Sequence, residues 1–194
     1  MSSTPGLRER KKAETRQAVH EAALRLTLEH GLDNVTVEAI ADAANISRRT
    51  FSNYFAGKED ALLYGDEQRF GTLVRRVRDQ PPELTAWQAL RSALEVLYDE
   101  AGGGDRELLV RTRLAMRHPS LLARQLTVRV RLENELSEAV TGRALPDGVR
   151  PEVITAAFLA ALRVATQWWC AGNDERDFRQ LIDQALDQIA GRFR

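Results

Sequence analysis

Residues 36–58 read TVEAIADAANISRRTFSNYFAGK, and this stretch decides the fold of the N-terminal part of the chain. The apolar residues of its first half fall at positions i, i+3, i+4 and i+7 of a helix: Val37, Ile40, Ala41 and Ala44. Thr36 and Ser47 each precede a helical pattern, and their hydroxyls can accept a hydrogen bond from a backbone N–H of the first turn. Residues 45–47 (Asn-Ile-Ser) break the chain between the two patterns. We therefore predict a helix-turn-helix over residues 36–55.

The second helix of this pair combines an apolar anchor with a polar, basic face. Phe51 and Phe55 lie four residues apart, so we expect them to pack inward together with Ile46. From residue 45 to residue 58 the chain carries three basic side chains and no acidic one. A short helix of this kind suits the major groove of DNA, where arginine pairs with guanine and asparagine with adenine. The alternative is that this segment is an ordinary solvated helix face.

The predicted DNA contacts fall into two kinds. Arginine and asparagine on the second helix are candidates for base contacts, whereas Thr36, Tyr54 and Lys58 are suited to phosphates. The basic run from Arg8 to Lys12 adds charge that could follow the DNA backbone or enter the minor groove. The full predicted set is Thr36, Ser47, Arg48, Arg49, Thr50, Ser52, Asn53, Tyr54, Lys58, Arg10 and Lys11.

Helical spacing continues on both sides of this stretch. A first helix is predicted from about Leu7 to His30, with Gly31 as its C-terminal cap, and a fourth helix is predicted to begin at Lys58. Prolines and glycines separate further helical stretches toward the C-terminus, and no segment alternates as a strand would. We therefore predict an all-α fold of about nine helices. Its N-terminal helix-turn-helix domain is predicted to cover residues 1–64, and a second helical domain residues 65–194.

The overall composition gives no electrostatic sign of a nucleic-acid partner. The 194 residues carry 28 basic and 28 acidic side chains, so a DNA-binding surface has to come from local clustering. The single cysteine, Cys170, excludes an internal disulfide. The longest apolar run, residues 153–162, is far shorter than the roughly 20 residues of a membrane span, and the N-terminus lacks the pattern of a signal peptide. These features predict a cytoplasmic protein with no membrane association.

The order of elements over residues 10–64 resembles the N-terminal domain of the TetR family of transcriptional regulators. The shared array is a helix, a glycine, a Thr-capped helix, the Asn-Ile-Ser turn, a basic helix ending in Tyr-Phe, and Gly-Lys-Glu-Asp at residues 57–60. The resemblance implies a C-terminal domain that binds a small-molecule effector and forms a homodimer on operator DNA. It also implies a repressor that the effector releases. The Arg-Arg-Thr-Phe sequence at residues 48–51 looks like the actinobacterial branch whose C-terminal domains bind acyl-CoA-like ligands.

The predicted dimer interface lies on the last two helices, because the family uses these helices to dimerise. The final helix carries an apolar stripe at helical spacing, and the helix before it carries small residues that allow close approach. The predicted interface residues are Ala160, Phe178, Ile182, Leu186 and Ile189. The alternative is that this stripe packs the core of its own domain.

The effector site is predicted from arginines interleaved with long apolar side chains over residues 107–131. Arginine grips phosphate bidentately, and the apolar side chains suit an acyl chain. Residues 113–124 also look like the acyl-CoA-type domain. The predicted pocket residues are Arg111, Leu114, Arg117, Leu122 and Trp168. An amphipathic helix pair with a charged outer face is the competing interpretation.

No catalytic residue, metal site or cofactor is predicted. The three histidines lie in different elements without zinc-ligand spacing, and no phosphate loop or nucleophile motif occurs. Two further interpretations stay open from the sequence. An enzyme would bring ionisable groups together in a cleft, and an architectural protein would bind random DNA nearly as well as any operator.

Overall fold

A computed structural model describes residues 6–100, 112–114, 117–172 and 177–191. These residues form helices joined by turns and loops, and none of them forms a strand, which confirms the predicted all-α fold. The bounded helices are α1 Leu7–His30, α2 Val37–Ala43, α3 Arg48–Tyr54, α4 Lys58–Arg78, α5 Ala86–Glu100, α6 Pro119–Val140, α7 Pro151–Ala171 and α8 Phe178–Ala190. A 3-10 turn, Leu32–Asn34, joins α1 to α2, and residues 112–114 are also helical.

The chain divides into two compact units, Met1–Gln68 and Arg69–Arg194, with the division inside α4. In the first unit, the described core consists of apolar side chains from α1 to α4, among them Val19, Ile40 and Phe51, each at most 1% exposed. His20 is buried with them and its Nδ1 lies 2.8 Å from the carbonyl oxygen of Ala61. That contact holds α1 against α4.

Local chemistry explains the turn between α2 and α3. Asn45 adopts a left-handed conformation with φ 54°, which asparagine tolerates better than most residues. The backbone N–H of Ile46 then donates to the carbonyl of Ala41 at 2.9 Å, which closes the end of α2. Because α3 begins two residues later with Ser47 as its cap, the turn fixes the angle between the two helices.

In the second unit, α6, α7 and α8 pack on α5 and on the end of α4 around one apolar core. The hydroxyls of Ser137 on α6 and Thr155 on α7 are both buried and lie 2.7 Å apart. Phe158 is fully buried and meets the Trp87 ring edge-on with 6.1 Å between centroids. Among the described residues, α7 is the one helix long and apolar enough to cross a membrane by length and composition alone. Part of its apolar surface packs in this core, where Ile154, Phe158 and Ala165 are fully buried.

One arginine holds the end of α4. The guanidinium of Arg143, in the loop after α6, donates to four carbonyl oxygens at 2.6 to 3.4 Å. These belong to Val77, Gln80, Pro81 and Leu84. Val77 lies in the last turn of α4 and the other three residues follow the helix, so this side chain binds both the α4 C-terminus and the loop after it.

Candidate DNA-binding surface

The N-termini of α2 and α3 are both closed by side-chain caps. The Thr36 hydroxyl accepts from the backbone N–H of Ala39 at 3.1 Å. The Ser47 hydroxyl accepts from the backbone N–H of Thr50 at 3.1 Å and lies 2.9 Å from the Thr50 hydroxyl. The caps predicted from the sequence are therefore confirmed. Each cap still leaves a hydroxyl proton at the helix N-terminus that can be donated to an anion such as phosphate.

The two faces of α3 separate by chemistry. Phe51 and Phe55 are 1% and 7% exposed and their rings contact each other with 5.6 Å between centroids, which confirms the predicted anchor. The opposite face leaves Arg49, Ser52 and Asn53 exposed. None of these three has a side-chain partner within the residues that the structure describes. Their donors and acceptors are therefore available to an external ligand.

Arg48 differs from its neighbours because it already has a partner. Its Nη1 lies 2.8 Å from Oε1 of Glu38 in the first turn of α2, and both side chains are more than half exposed. Glu38 was absent from the residues predicted to contact DNA. The signal available in the sequence was an acid two residues after the Thr36 cap, since an acid in the first turn of α2 shares the surface formed by the helix starts.

The start of α1 forms a groove with the end of α3. Leu7, Arg8, Lys11 and Lys12 line an open cavity of about 700 Å³ together with Asn53 and Tyr54. Residues from Leu7 onward are helical, so this basic run is a helix face and not an extended arm. Arg10 pairs with Glu14 at 3.6 Å, and both side chains are about two-thirds exposed.

Another arginine of α1, Arg16, contacts the end of α3 beside this groove. The Arg16 guanidinium lies over the Phe55 and Tyr64 rings at 5.8 and 5.7 Å and donates to the carbonyl of Tyr54 at 3.4 Å. The cation therefore fixes the half-buried end of α3 against α1.

Lys58 has a structural role that the sequence did not indicate. Its ammonium donates to the carbonyl oxygens of Leu32 and Val35 at 2.7 and 2.9 Å. These bonds tie the first residue of α4 to the segment that leads into α2. An ammonium has three N–H donors, so one remains for a phosphate. The predicted phosphate contact of Lys58 stays a prediction.

The predicted effector residues are dispersed in the described structure. Arg111 lies outside the described residues. Leu114 is half-buried, Arg117 is exposed, and Leu122 on α6 is 47% exposed. Trp168 is half-buried and packs on the core of the second unit. Their role in binding an effector stays a prediction.

The predicted dimer residues fall into two groups. Ile182 and Leu186 are 2% and 1% exposed and lie in the core of their own unit, so they present no surface to a second chain. Phe178 is half-buried and stacks on Trp169 with 4.4 Å between ring centroids. Ala160 is exposed and Ile189 is half-buried. Two members of the apolar stripe therefore pack in the core, whereas the roles of Ala160, Phe178 and Ile189 in a dimer interface stay predictions.

Potential metal ligands do not cluster in the described part of the chain. No group of three or more His, Cys, Asp or Glu side chains within those residues could hold a metal ion.

Two family models match this chain. The model described as "Bacterial regulatory proteins, tetR family" matches residues 20–64, and the model described as "MftR C-terminal domain" matches residues 84–194. The first covers the C-terminal part of α1, all of α2 and α3, and the start of α4. The second covers more than half of the chain.

Relatives of known name agree with these matches. The chain is 34% identical over 196 aligned positions to the HTH-type transcriptional regulator TcmR of Streptomyces glaucescens, covering 95% of this chain and 87% of that protein. It is 26% identical to the putative mycofactocin biosynthesis transcriptional regulator MftR of Mycobacterium tuberculosis, covering 93% and 91%. The fold resembles the crystal structure of Thermus thermophilus FadR in complex with lauroyl-CoA, with a TM-score of 0.62, 23% identity and coverage of 90% and 93%.

The chain belongs to the TetR family of bacterial regulatory proteins. It is a DNA-binding transcriptional regulator with an N-terminal helix-turn-helix. The relatives named above are regulators of transcription.

Proposed function

We propose that the protein is a homodimeric repressor that reads two operator half-sites with α3 and leaves the operator when an effector binds. Arg48, Arg49 and Asn53 would contact base edges in the major groove. The observation that carries this proposal is the exposed polar face of α3 on a buried phenylalanine anchor, where Arg49 and Asn53 have no side-chain partner among the described residues. The capped starts of α2 and α3 and the basic groove of α1 would follow the phosphates on either side.

The proposed phosphate contacts are distributed over several elements of the first unit. Thr36 and Ser47 offer cap hydroxyls, Tyr54 lies beside the groove, and Arg10 and Lys11 extend from the start of α1. Phosphate contacts orient a protein on DNA without selecting a sequence, whereas base contacts select it. Substitution at the two kinds of position should therefore have different consequences for specificity.

The proposed homodimer would use the exposed faces of the last two helices. Val153 is 53% exposed and Ala160, seven residues later on the same face of α7, is also exposed. A two-fold dimer places two recognition helices in major grooves about 34 Å apart. An Ala160→Arg variant should sediment as a monomer and lose operator affinity, whereas Glu83→Arg in the exposed loop before α5 should do neither. A dimeric Ala160→Arg variant would contradict this interface.

The proposed effector is an acyl-CoA-like molecule with an apolar chain and phosphates. Arg129 on α6 is half-buried, and burial together with the charge of Arg163 on α7 lowers the pKa of its guanidinium. A phosphate would relieve this repulsion by pairing with both cations. The exposed side chains of Leu126 and Val130 flank Arg129 and suit a hydrocarbon. FadR, which shares the fold, was crystallised with lauroyl-CoA.

The proposed release of DNA follows from a change in α4. This helix begins in the first unit and ends in the second, where Arg143 holds its last carbonyls. An effector can shift the equilibrium only by its difference in affinity for the two arrangements of the protein. The protein is proposed to act in the cytoplasm, without a metal or catalytic cofactor.

The test is selection of bound DNA from a random library, followed by titration of lauroyl-CoA into the protein–operator complex. We expect an enriched inverted repeat and release of the protein from it. Equal binding to random DNA would favour an architectural protein instead. Specific binding without release or a thermal shift would remove the acyl-CoA assignment and leave the regulator intact.

A further inference from the structure

The first turns of α2 and α3 are joined by an ion pair on the proposed DNA-reading surface. Oε1 of Glu38 lies 2.8 Å from Nη1 of Arg48, with the two side chains 53% and 73% exposed. Glu38 is the second residue of α2 and Arg48 is the first residue of α3. The pair therefore links the two helices across the mouth of the turn.

This ion pair is not needed to set the angle between α2 and α3. The left-handed Asn45, the hydrogen bond from Ile46 to Ala41 and the Ser47 cap already fix the turn. Ion pairs as exposed as this one contribute little to folding stability, because water screens them and both side chains lose freedom. The ion pair instead acts on the orientation of the Arg48 side chain.

The pair orients the guanidinium and leaves most of its donors unused. A guanidinium has five N–H groups, of which the carboxylate needs only those at Nη1. The edge formed by Nε and Nη2 remains free to meet O6 and N7 of guanine bidentately. A long arginine held at one end loses less conformational freedom on binding than an unrestrained one.

The carboxylate also adds a negative charge to a surface that must approach phosphates. An arginine without this partner would bind phosphate at any sequence. With Glu38 present, a phosphate or a thymine O4 that faces the carboxylate places one hydrogen-bond acceptor against another. A cytosine at the same position offers its N4 amino group, which a carboxylate accepts.

We propose that Glu38 is a specificity-determining residue, which reads the operator together with Arg48 as one unit. It holds Arg48 toward guanine and disfavours DNA that does not offer a donor to its carboxylate. This inference rests on the proposed function, because it assumes that α3 enters the major groove. It assigns a base-selecting role to a residue of α2 that bears the opposite charge to a DNA-binding side chain.

The experiment compares Glu38→Gln with Asp42→Asn, using in-vitro selection and titration of the selected operator and of random DNA. Asp42 is an exposed acid one turn further along α2 with no side-chain partner in the described residues, so it controls for the loss of one negative charge. We expect Glu38→Gln to bind random DNA more tightly and to lose on the order of tenfold in discrimination at one base position, a part of what a bidentate contact supplies. Asp42→Asn should keep the wild-type base preferences.

A double-substitution cycle separates this role from a structural one. If Glu38 acts on guanine recognition through Arg48, Arg48→Ala alone and Arg48→Ala with Glu38→Gln should show the same preference for guanine at the base that Arg48 contacts. A wild-type base profile in Glu38→Gln would overturn the proposal. So would a uniform loss of affinity accompanied by a lower melting temperature, since that outcome would make the pair structural. Failure of the proposed function would look different, because the wild-type protein itself would enrich no sequence.

Discussion

The arginines of α3 in the first unit and two arginines of the second unit have opposite roles. On α3 of the first unit, Arg48 and Arg49 are exposed, and within the part of the chain that the structure describes only Arg48 has a partner, itself an exposed acid. In the second unit Arg143 donates to four backbone carbonyls, and Arg91 is paired with Asp183 and Asp187 on α8. Arginines of the second kind have exchanged water for protein partners and stabilise the fold. Those of the first kind keep their donors for a ligand.

This difference separates stability from recognition. Substituting an engaged arginine should lower the free energy of unfolding, because its partners lose their hydrogen bonds. Substituting an available arginine should leave the fold unchanged and weaken DNA binding.

The largest expected effect is that of Arg143→Gln. Loss of the guanidinium removes a donor from the Val77 carbonyl at the end of α4 and from three carbonyls of the loop after it, and we expect the free energy of unfolding to fall by about 2–4 kcal/mol. Urea denaturation followed by circular dichroism measures this change. Arg150→Gln serves as the matched control, because Arg150 is mostly exposed and pairs only with Glu152 within its own segment. Equal stability of the two variants would show that Arg143 does not hold α4.

The next effect concerns Arg48→Ala and Asn53→Ala on α3. Each should weaken binding to the selected operator by roughly 1–3 kcal/mol per lost base contact, with an unchanged urea midpoint. Fluorescence anisotropy with labelled operator and with a scrambled duplex measures the loss. If affinity for both duplexes fell equally, the side chain would contact phosphate instead of a base.

Lys58→Met combines both kinds of effect in one residue. Two carbonyls of the segment before α2 lose their donor, so the free energy of unfolding should fall by about 1–3 kcal/mol. If its third N–H meets a phosphate, the slope of log K against log salt should also decrease by about one. We expect both changes. A destabilised variant with the wild-type salt slope would show that Lys58 does not contact DNA. Its role would then be to hydrogen-bond the start of α4 to the segment between α1 and α2.

The smallest expected effect is that of Arg10→Gln at the start of α1. Arg10 is well exposed and paired only with Glu14, so stability should not change. The salt slope should fall by about 0.9 for one lost phosphate contact, with no change in base preference. A changed base preference would place Arg10 in a groove and not on the backbone.

The features of the first unit that the sequence predicts are those with local determinants. The helix-turn-helix was predictable because its determinants are local: two hydroxyl caps, an asparagine at the turn and phenylalanines four residues apart. Such signals act within one turn of a helix, so spacing alone reveals them. The pairing of Glu38 with Arg48 was not predictable, since it depends on the angle between two helices.

In the second unit, the contacts that determine the structure join residues that are far apart in the sequence. Arg143 meets carbonyls about sixty residues earlier in the chain, at separations of 59 to 66 positions. The apolar stripe of α8 predicted a buried face correctly but could not say what buries it. Ile182 and Leu186 lie in the core of their own unit, which leaves Ala160 and Ile189 for the proposed interface. The Arg129 and Arg163 pair on α6 and α7 likewise emerges only when the helices are packed.

The claim that α3 reads sequence is tested most directly by the ratio of affinities for a selected operator and for random DNA, measured at one salt concentration. The account predicts an enriched inverted repeat with half-site centres about 34–36 Å apart, bound at least about a thousandfold more tightly than random DNA. It further predicts that Arg48→Ala lowers this ratio while Arg10→Gln does not. A ratio near one for the wild-type protein would contradict the claim that the exposed face of α3 reads sequence.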